Sequence, residues 1–164
     1  MYIKTFKKFK LFESLEDFNT VSLEGYYYHG TSIEDKLFKP EIGYSDYDAI
    51  WVTDELMVAQ DFSDYHYWGG EDYKQVVLKT YFKSDNIIEI PYGTYKDLLE
   101  YYGVEDLRDT IEYLNHDYDG WVTKGSLDKM LYNDIAVFDD DLLDFTEVSY
   151  FKNNEWSKFE KIKW

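Results

Sequence analysis

The chain contains no cysteine. That excludes a disulfide scaffold, a thiol nucleophile and any Cys-based zinc or iron–sulfur centre. Three histidines, His29, His66 and His116, show no close helical pairing, so no metal site is expected from them. Pro40 and Pro91 are the only prolines, and no Gly/Ser-rich stretch reads as a hinge between domains. The apolar runs are all far shorter than the ~20 residues of a membrane span. The opening stretch, MYIKTFKKFKLF, interleaves Lys with aromatic residues and lacks the continuous apolar core of a secretion signal. A soluble cytoplasmic protein with no membrane contact is therefore expected.

Positive charge is also scarce. Lys and Arg number 17 against 34 Asp and Glu, a formal net charge of −17, and Arg108 is the single arginine. With no cation excess to release counterions, nonspecific binding to nucleic acid or anionic lipid is disfavoured. A basic partner is favoured instead, although the acids equally serve to keep an aromatic-rich chain soluble.

Aromatic residues are abundant: 18 Tyr, 11 Phe and 5 Trp bring the aromatic share to 21% within a hydrophobic share of 45%. This excludes the low-hydrophobicity signature of disorder. At 164 residues the chain suits one domain, able to bury roughly 70% of its unfolded surface. We read an N-terminal amphipathic segment over 1–20 and a single domain over 21–164. In the first, Ile3, Phe6, Phe9, Phe12 and Leu15 recur at near-helical spacing.

In the body, GYYYH (25–29) reads as a strand stopping at Gly30, and AIWV (49–52) as a second. A helix follows from about Thr53–Asp54, with Thr53 as N-cap, Asp54 and Glu55 in its first turn, and Leu56, Ala59 and Phe62 inward. SDYHYWGGEDYK (63–74) reads as a loop, VVLKTYF (76–82) and NIIEI (86–90) as strands, and 94–102 and 105–115 as helices. DGWVT (119–123), DIAVFD (134–139) and FTEVSYF (145–151) complete the strands. The order is not a regular βαβ alternation, so an α+β fold with mainly antiparallel sheets is expected.

Three constellations could carry chemistry. In Tyr28-His29-Gly30-Thr31-Ser32 a histidine ends a strand and precedes a glycine and two hydroxyls. This suits a ligand-facing edge, or equally a satisfied histidine beside a turn. Trp51 and Phe62, eleven positions apart, could face each other across a slot for a planar ring, or be ordinary core. Asp134 begins an apolar strand, where a buried carboxylate needs either a partner or a function.

Taken in order, the three resemble the His-Tyr-Glu branch of the ADP-ribosyltransferases, the branch of diphtheria toxin and the poly(ADP-ribose) polymerases, across most of 26–150. HGT at His29–Thr31 looks like its first motif and WVTDELMVAQDF (51–62) like its second, with Trp51 and Phe62 where two tyrosines hold nicotinamide. YNDIAVFD (132–139) is similar to the polymerases' Tyr-Asn-Glu-Tyr-Ile-Val-Tyr-Asp, which puts Asp134 where the catalytic glutamate falls; YDGWV (118–122) resembles the strand before it.

The resemblance implies a split β-sandwich of two mainly antiparallel sheets with flanking helices. It implies NAD⁺ as substrate, no metal, and mono-ADP-ribosyl transfer to a basic protein acceptor, a nucleic-acid-binding protein among the candidates. Asp134 and His29 would be catalytic. His29, Gly30, Thr31, Ser32, Trp51, Thr53 and Phe62 would hold NAD⁺, with His29 on the adenosine ribose and the Gly30 backbone on the carboxamide. The sequence departs from the pattern in Asp134, which draws the carboxylate back by ~1.5 Å, and in both rings, which lack phenol hydroxyls. The single arginine argues against the Arg-Ser-Glu toxin branch and the RNA 2′-phosphotransferases. Two alternatives are a catalytically silent acidic module that mimics DNA, and an NAD⁺ glycohydrolase. The composition is compatible with a small bacterial or bacteriophage effector.

Overall fold

A computed structural model describes residues 19–34, 36–42, 48–65, 73–90, 111–112, 114–127 and 129–164. Residues 1–18 of the expected N-terminal amphipathic segment, the 66–72 part of the loop, the 94–102 helix, the 105–110 part of the next helix, His66 and Arg108 lie outside them, and Thr20, the last residue of that segment, opens a strand.

The described residues form a β-rich α+β fold around one mixed eight-stranded sheet. Strand β1 is Thr20–Ile33 and β2 is Ile50–Thr53; helix α1 is Leu56–Tyr65. Strand β3 is Lys74–Glu89, β4 Gly120–Leu127, β5 Met130–Val137 and β6 Leu143–Lys152. Two short strands, β7 (Glu155–Trp156) and β8 (Glu160–Lys161), pair with β6. The pairs are antiparallel except β3–β4.

The spatial order is β4-β5-β2-β1-β3-β6, and β3 also pairs with β4 through Ile87–Glu89. The circuit β1-β2-β5-β4-β3 thus closes on itself. Its inward residues alternate along β2 and β5, as a closed sheet demands, and the alternation on β3 is interrupted where the β1–β3 register shifts. Tyr27, Ile50, Val52, Val76, Leu78, Phe82, Val122, Ile135, Val137, Phe145 and Val148 meet in one core. The outer face of β2, β5 and β4 carries a second cluster, where Trp121, Ala136 and Phe138 are covered by Ile111 and Leu114 of a helical turn.

Several expectations are corrected here. Strand β1 does not stop at Gly30; it runs to Ile33 because β3 pairs with it from end to end. The polar Lys83-Ser84-Asp85 does not break the following segment into two strands. Lys83 pairs with Glu24 across the ladder, the Ser84 hydroxyl donates to Asp119 at 2.6 Å and Asp85 is exposed, so the polar run is accommodated within one 16-residue strand. Asp134 lies in the interior of β5, which starts at Met130 through a tight hairpin from β4. Helix α1 begins at Leu56, not at Thr53–Asp54. Glu55 contributes the first helical carbonyl, to the Ala59 N–H, and no acid lies in the first turn.

Candidate functional site

Four strands place the site. Their register sets Tyr28 opposite Thr53, Thr53 opposite Asp134 and Asp134 opposite Thr123. Directly opposed residues point to one side of a sheet, so β1, β2, β5 and β4 present Tyr28, Thr53, Asp134 and Thr123 in a single row. Neighbouring strands lie ~4.8 Å apart, which puts Asp134 about 10 Å from β1. The next row on the same face is Trp51, Ala136 and Trp121.

Asp134 is half-buried. No hydrogen bond or ion pair reaches its carboxylate among the described residues. Loss of hydration alone pushes its pKa from 3.8 up to about 7. The flanking Thr53 and Thr123 are buried, with 1% and 4% exposure, but their hydroxyls are turned to backbone. Thr53 Oγ1 accepts the Glu55 N–H at 3.2 Å, and Thr123 Oγ1 lies 3.5 Å from the Asp134 carbonyl. Two residues along β5, the Tyr132 ring lies across Gly125, where any Cβ would meet the ring at 2.2 Å. Burial, and then the charge of Asp134, raise the Tyr132 phenol.

The first motif comes within one residue of this row. Strands β1 and β2 share a single register pair, Tyr28 with Thr53. Beside that pair the strands are joined by a side chain: His29 Nδ1 donates to the Trp51 carbonyl at 2.7 Å. A carbonyl only accepts, so this contact places a proton on Nδ1. The His29 ring also packs edge-on to Phe145, 6.1 Å between centroids, on the core side of the sheet.

Gly30 has a structural reason to be glycine. A Cβ there would sit 1.8 Å from the Ala59 carbonyl oxygen and 2.9 Å from the Ser63 nitrogen, because α1 crosses directly over β1. Val77, opposite Gly30, is fully buried. Thr31 and Ser32 continue β1 opposite Val76 and Gln75, both half-buried.

The second motif is split between two surroundings. The Trp51 ring meets Trp121 at 5.9 Å and 61°, and Trp121 meets Phe138 at 5.5 Å and 90°, so Trp51 belongs to an aromatic cluster on the outer sheet face. Phe62 is half-buried on α1, whose fully buried positions are Val58, Ala59 and Ser63. No ring contact joins Trp51 to Phe62 among the described residues.

The structure thus brings Trp51, Thr53 and Asp134 onto one face of β2 and β5, while His29, one residue past Tyr28 on β1, turns its ring to the core side. Sequence reasoning missed Thr123, the Tyr132–Gly125 contact and the bonds from Asp54 to Asn133. The Tyr132-Asp134-Ala136-Phe138 alternation marked one face of β5. Extending β4 and β5 to a tight hairpin would have paired Thr123 with Asp134. Trp121, fully buried, has an indole N–H without a hydrogen-bond partner.

Among the described residues no group of three or more His, Cys, Asp or Glu could hold a metal ion, and no helix is long and apolar enough to cross a membrane. No protein-family model matches the chain, and neither the curated proteins nor the solved structures give a match.

Proposed function

We propose that the chain is an NAD⁺-dependent mono-ADP-ribosyltransferase, with Asp134 as the group that steadies the reacting ribose. The observation that carries the reading is an unpaired, partly desolvated carboxylate on β5, directly beside Thr53 and on the same face as Trp51 of β2. Leaving such a group without a partner costs stability, and that cost is a mark of sites kept for chemistry. The mainly antiparallel pairing fits the architecture that the motifs imply, while the described strands form one closed sheet where the motifs imply two.

In the reaction the bond between nicotinamide N1 and ribose C1′ breaks, and its electron pair stays on the nitrogen, which leaves neutral. The acceptor nucleophile bonds to C1′ and loses its proton. Positive charge develops on the ribose as the bond parts. An ionised Asp134 accepting a ribose hydroxyl would stabilise that charge by a few kcal/mol, on the order of a hundred- to a thousand-fold in rate. The His29 Nδ1–H bond to the Trp51 carbonyl ties β1 to β2, the strand that sets Thr53 beside Asp134. The acidic surface favours a basic protein acceptor.

Incubation with NAD⁺ labelled in the adenylate and with basic proteins tests the reading. Label on protein and free nicotinamide are expected from the wild type, and neither from Asp134→Ala. Nicotinamide without labelled protein would assign the glycohydrolase reaction instead.

The packing of the Trp51 ring onto Trp121 favours a second reading, a catalytically silent acidic module, since that ring is already engaged. Partner binding that falls steeply with salt and ignores Asp134→Ala would establish it.

A further inference from the structure

The β2–β5 backbone ladder ends at the pair Thr53 and Asp134. Beyond it the chain leaves for α1, and a side chain takes over the work of the ladder. Asp54 Oδ1 accepts the Asn133 backbone N–H at 2.7 Å, while Asp54 Oδ2 accepts the Asn133 side-chain amide. Asn133 Oδ1 in turn accepts from Lys124 Nζ, its register partner on β4. The Asp54 charge is also close enough to Tyr27 on β1 to add to the raised pKa of that phenol. One carboxylate therefore ties β2 to β5, and through Asn133 to β4, at the residue immediately before Asp134.

We propose that Asp54 is a positioning residue that fixes the reach of the Asp134 carboxylate; the proposal rests on Asp134 being the group that acts on ribose. Bonds to an ionised acceptor are roughly twice as strong as neutral ones. A two-pronged grip on the backbone N–H and amide of one residue resists both sliding and rotation of β5. Asn133 points to the face opposite Asp134, so the latch leaves the site itself clear. An aspartate has one torsion fewer than a glutamate with which to correct a misplaced backbone. Its strand must therefore be held closely, since a 1 Å error can cost ~100-fold.

The test compares Asp54→Ala, Asp54→Asn and, as a control that loses a side-chain bond elsewhere, Ser84→Ala. Nicotinamide release gives kcat and KM, and the ¹³C carboxyl resonance of Asp134 gives its titration midpoint. Asp54→Ala should lower kcat by about tenfold or more, change KM by less than about threefold, and move the Asp134 midpoint. Asp54→Asn, which keeps an acceptor for the Asn133 N–H, should recover most of kcat. Ser84→Ala should match the wild type in both readouts. A folded Asp54→Ala with wild-type kcat and midpoint overturns the proposal. Should that variant not fold, Asn133→Ala, which cuts only the amide and Lys124 limbs, takes its place: a reduced kcat with a shifted midpoint supports the proposal, and no change overturns it. If the wild type releases no nicotinamide, the ribose reading fails on its own. The midpoint then decides the latch, a shift in Asp54→Ala upholding the positioning of Asp134 and an unmoved one ending it.

Discussion

Asp134 is held in the folded chain with its carboxyl at about 7, against 3.8 for the ordinary side chain. An acid whose pKa is raised on folding binds its proton more tightly when folded. Its contribution is therefore most favourable below about pH 4, declines between 4 and 7, and stays at its lowest above. At 1.36 kcal/mol per pH unit the full penalty approaches ~4 kcal/mol. Replacing Asp134 with Asn removes the charge and keeps the shape. Denaturant unfolding should find Asp134→Asn more stable than the wild type by about 2 kcal/mol at pH 8, and no more stable near pH 4. A variant no more stable at pH 8 would show that the carboxylate is well solvated. Under the proposed function the ionised form would be the active one, so nicotinamide release should rise with pH through about 7 and then level. A rate falling over that range would assign Asp134 to proton donation.

At the scale of elements, the helix α1 and the strand β1 meet at Gly30, and no other residue type fits there. Gly30→Ala should push α1 off β1, carrying Phe62 with it, at a cost of about 3 kcal/mol, the upper part of the range for overpacked sites. Thermal unfolding would record the loss, and an unchanged melting temperature would mean that α1 shifts freely. The same contact explains where the sequence was legible and where it was not. The continuous apolar runs Ile50–Val52 and Ile135–Val137 marked those strands directly, because one face meets the inner core and the other the Trp121 cluster. Gly30 misled as a strand end, since a glycine needed for close helix approach looks the same in sequence as one needed for a turn. Lys83-Ser84-Asp85 misled in the same way. Lys83 and Ser84 are satisfied by Glu24 and Asp119, partners that only the folded pairing supplies. The sequence singled out His29, Trp51, Thr53 and Asp134 as candidates. Thr123 and the Asp54 latch were not among them, because strand register decides both.

For the molecule as a whole, the net charge of −17 sets a uniform field that works against compaction. Two ion pairs among the described residues, Lys79 with Glu147 and Lys83 with Glu24, offset little of it. Raising ionic strength from about 0.01 M to about 0.15 M shortens the Debye length from roughly 30 to 8 Å, so the melting temperature should climb. A melting temperature that falls with salt would mean that specific ion pairs outweigh the overall repulsion. Under the proposed function the same field would bring a basic acceptor to the Asp134 row faster at low salt.

The claim on which the rest depends is that an unpaired Asp134 takes part in splitting NAD⁺. Nicotinamide release by wild type and by Asp134→Asn, both verified as folded and assayed at pH 8, measures it directly. The account expects release by the wild type and a rate at least ~100-fold lower in the variant. Equal rates in the two proteins, or no release from either, would contradict it.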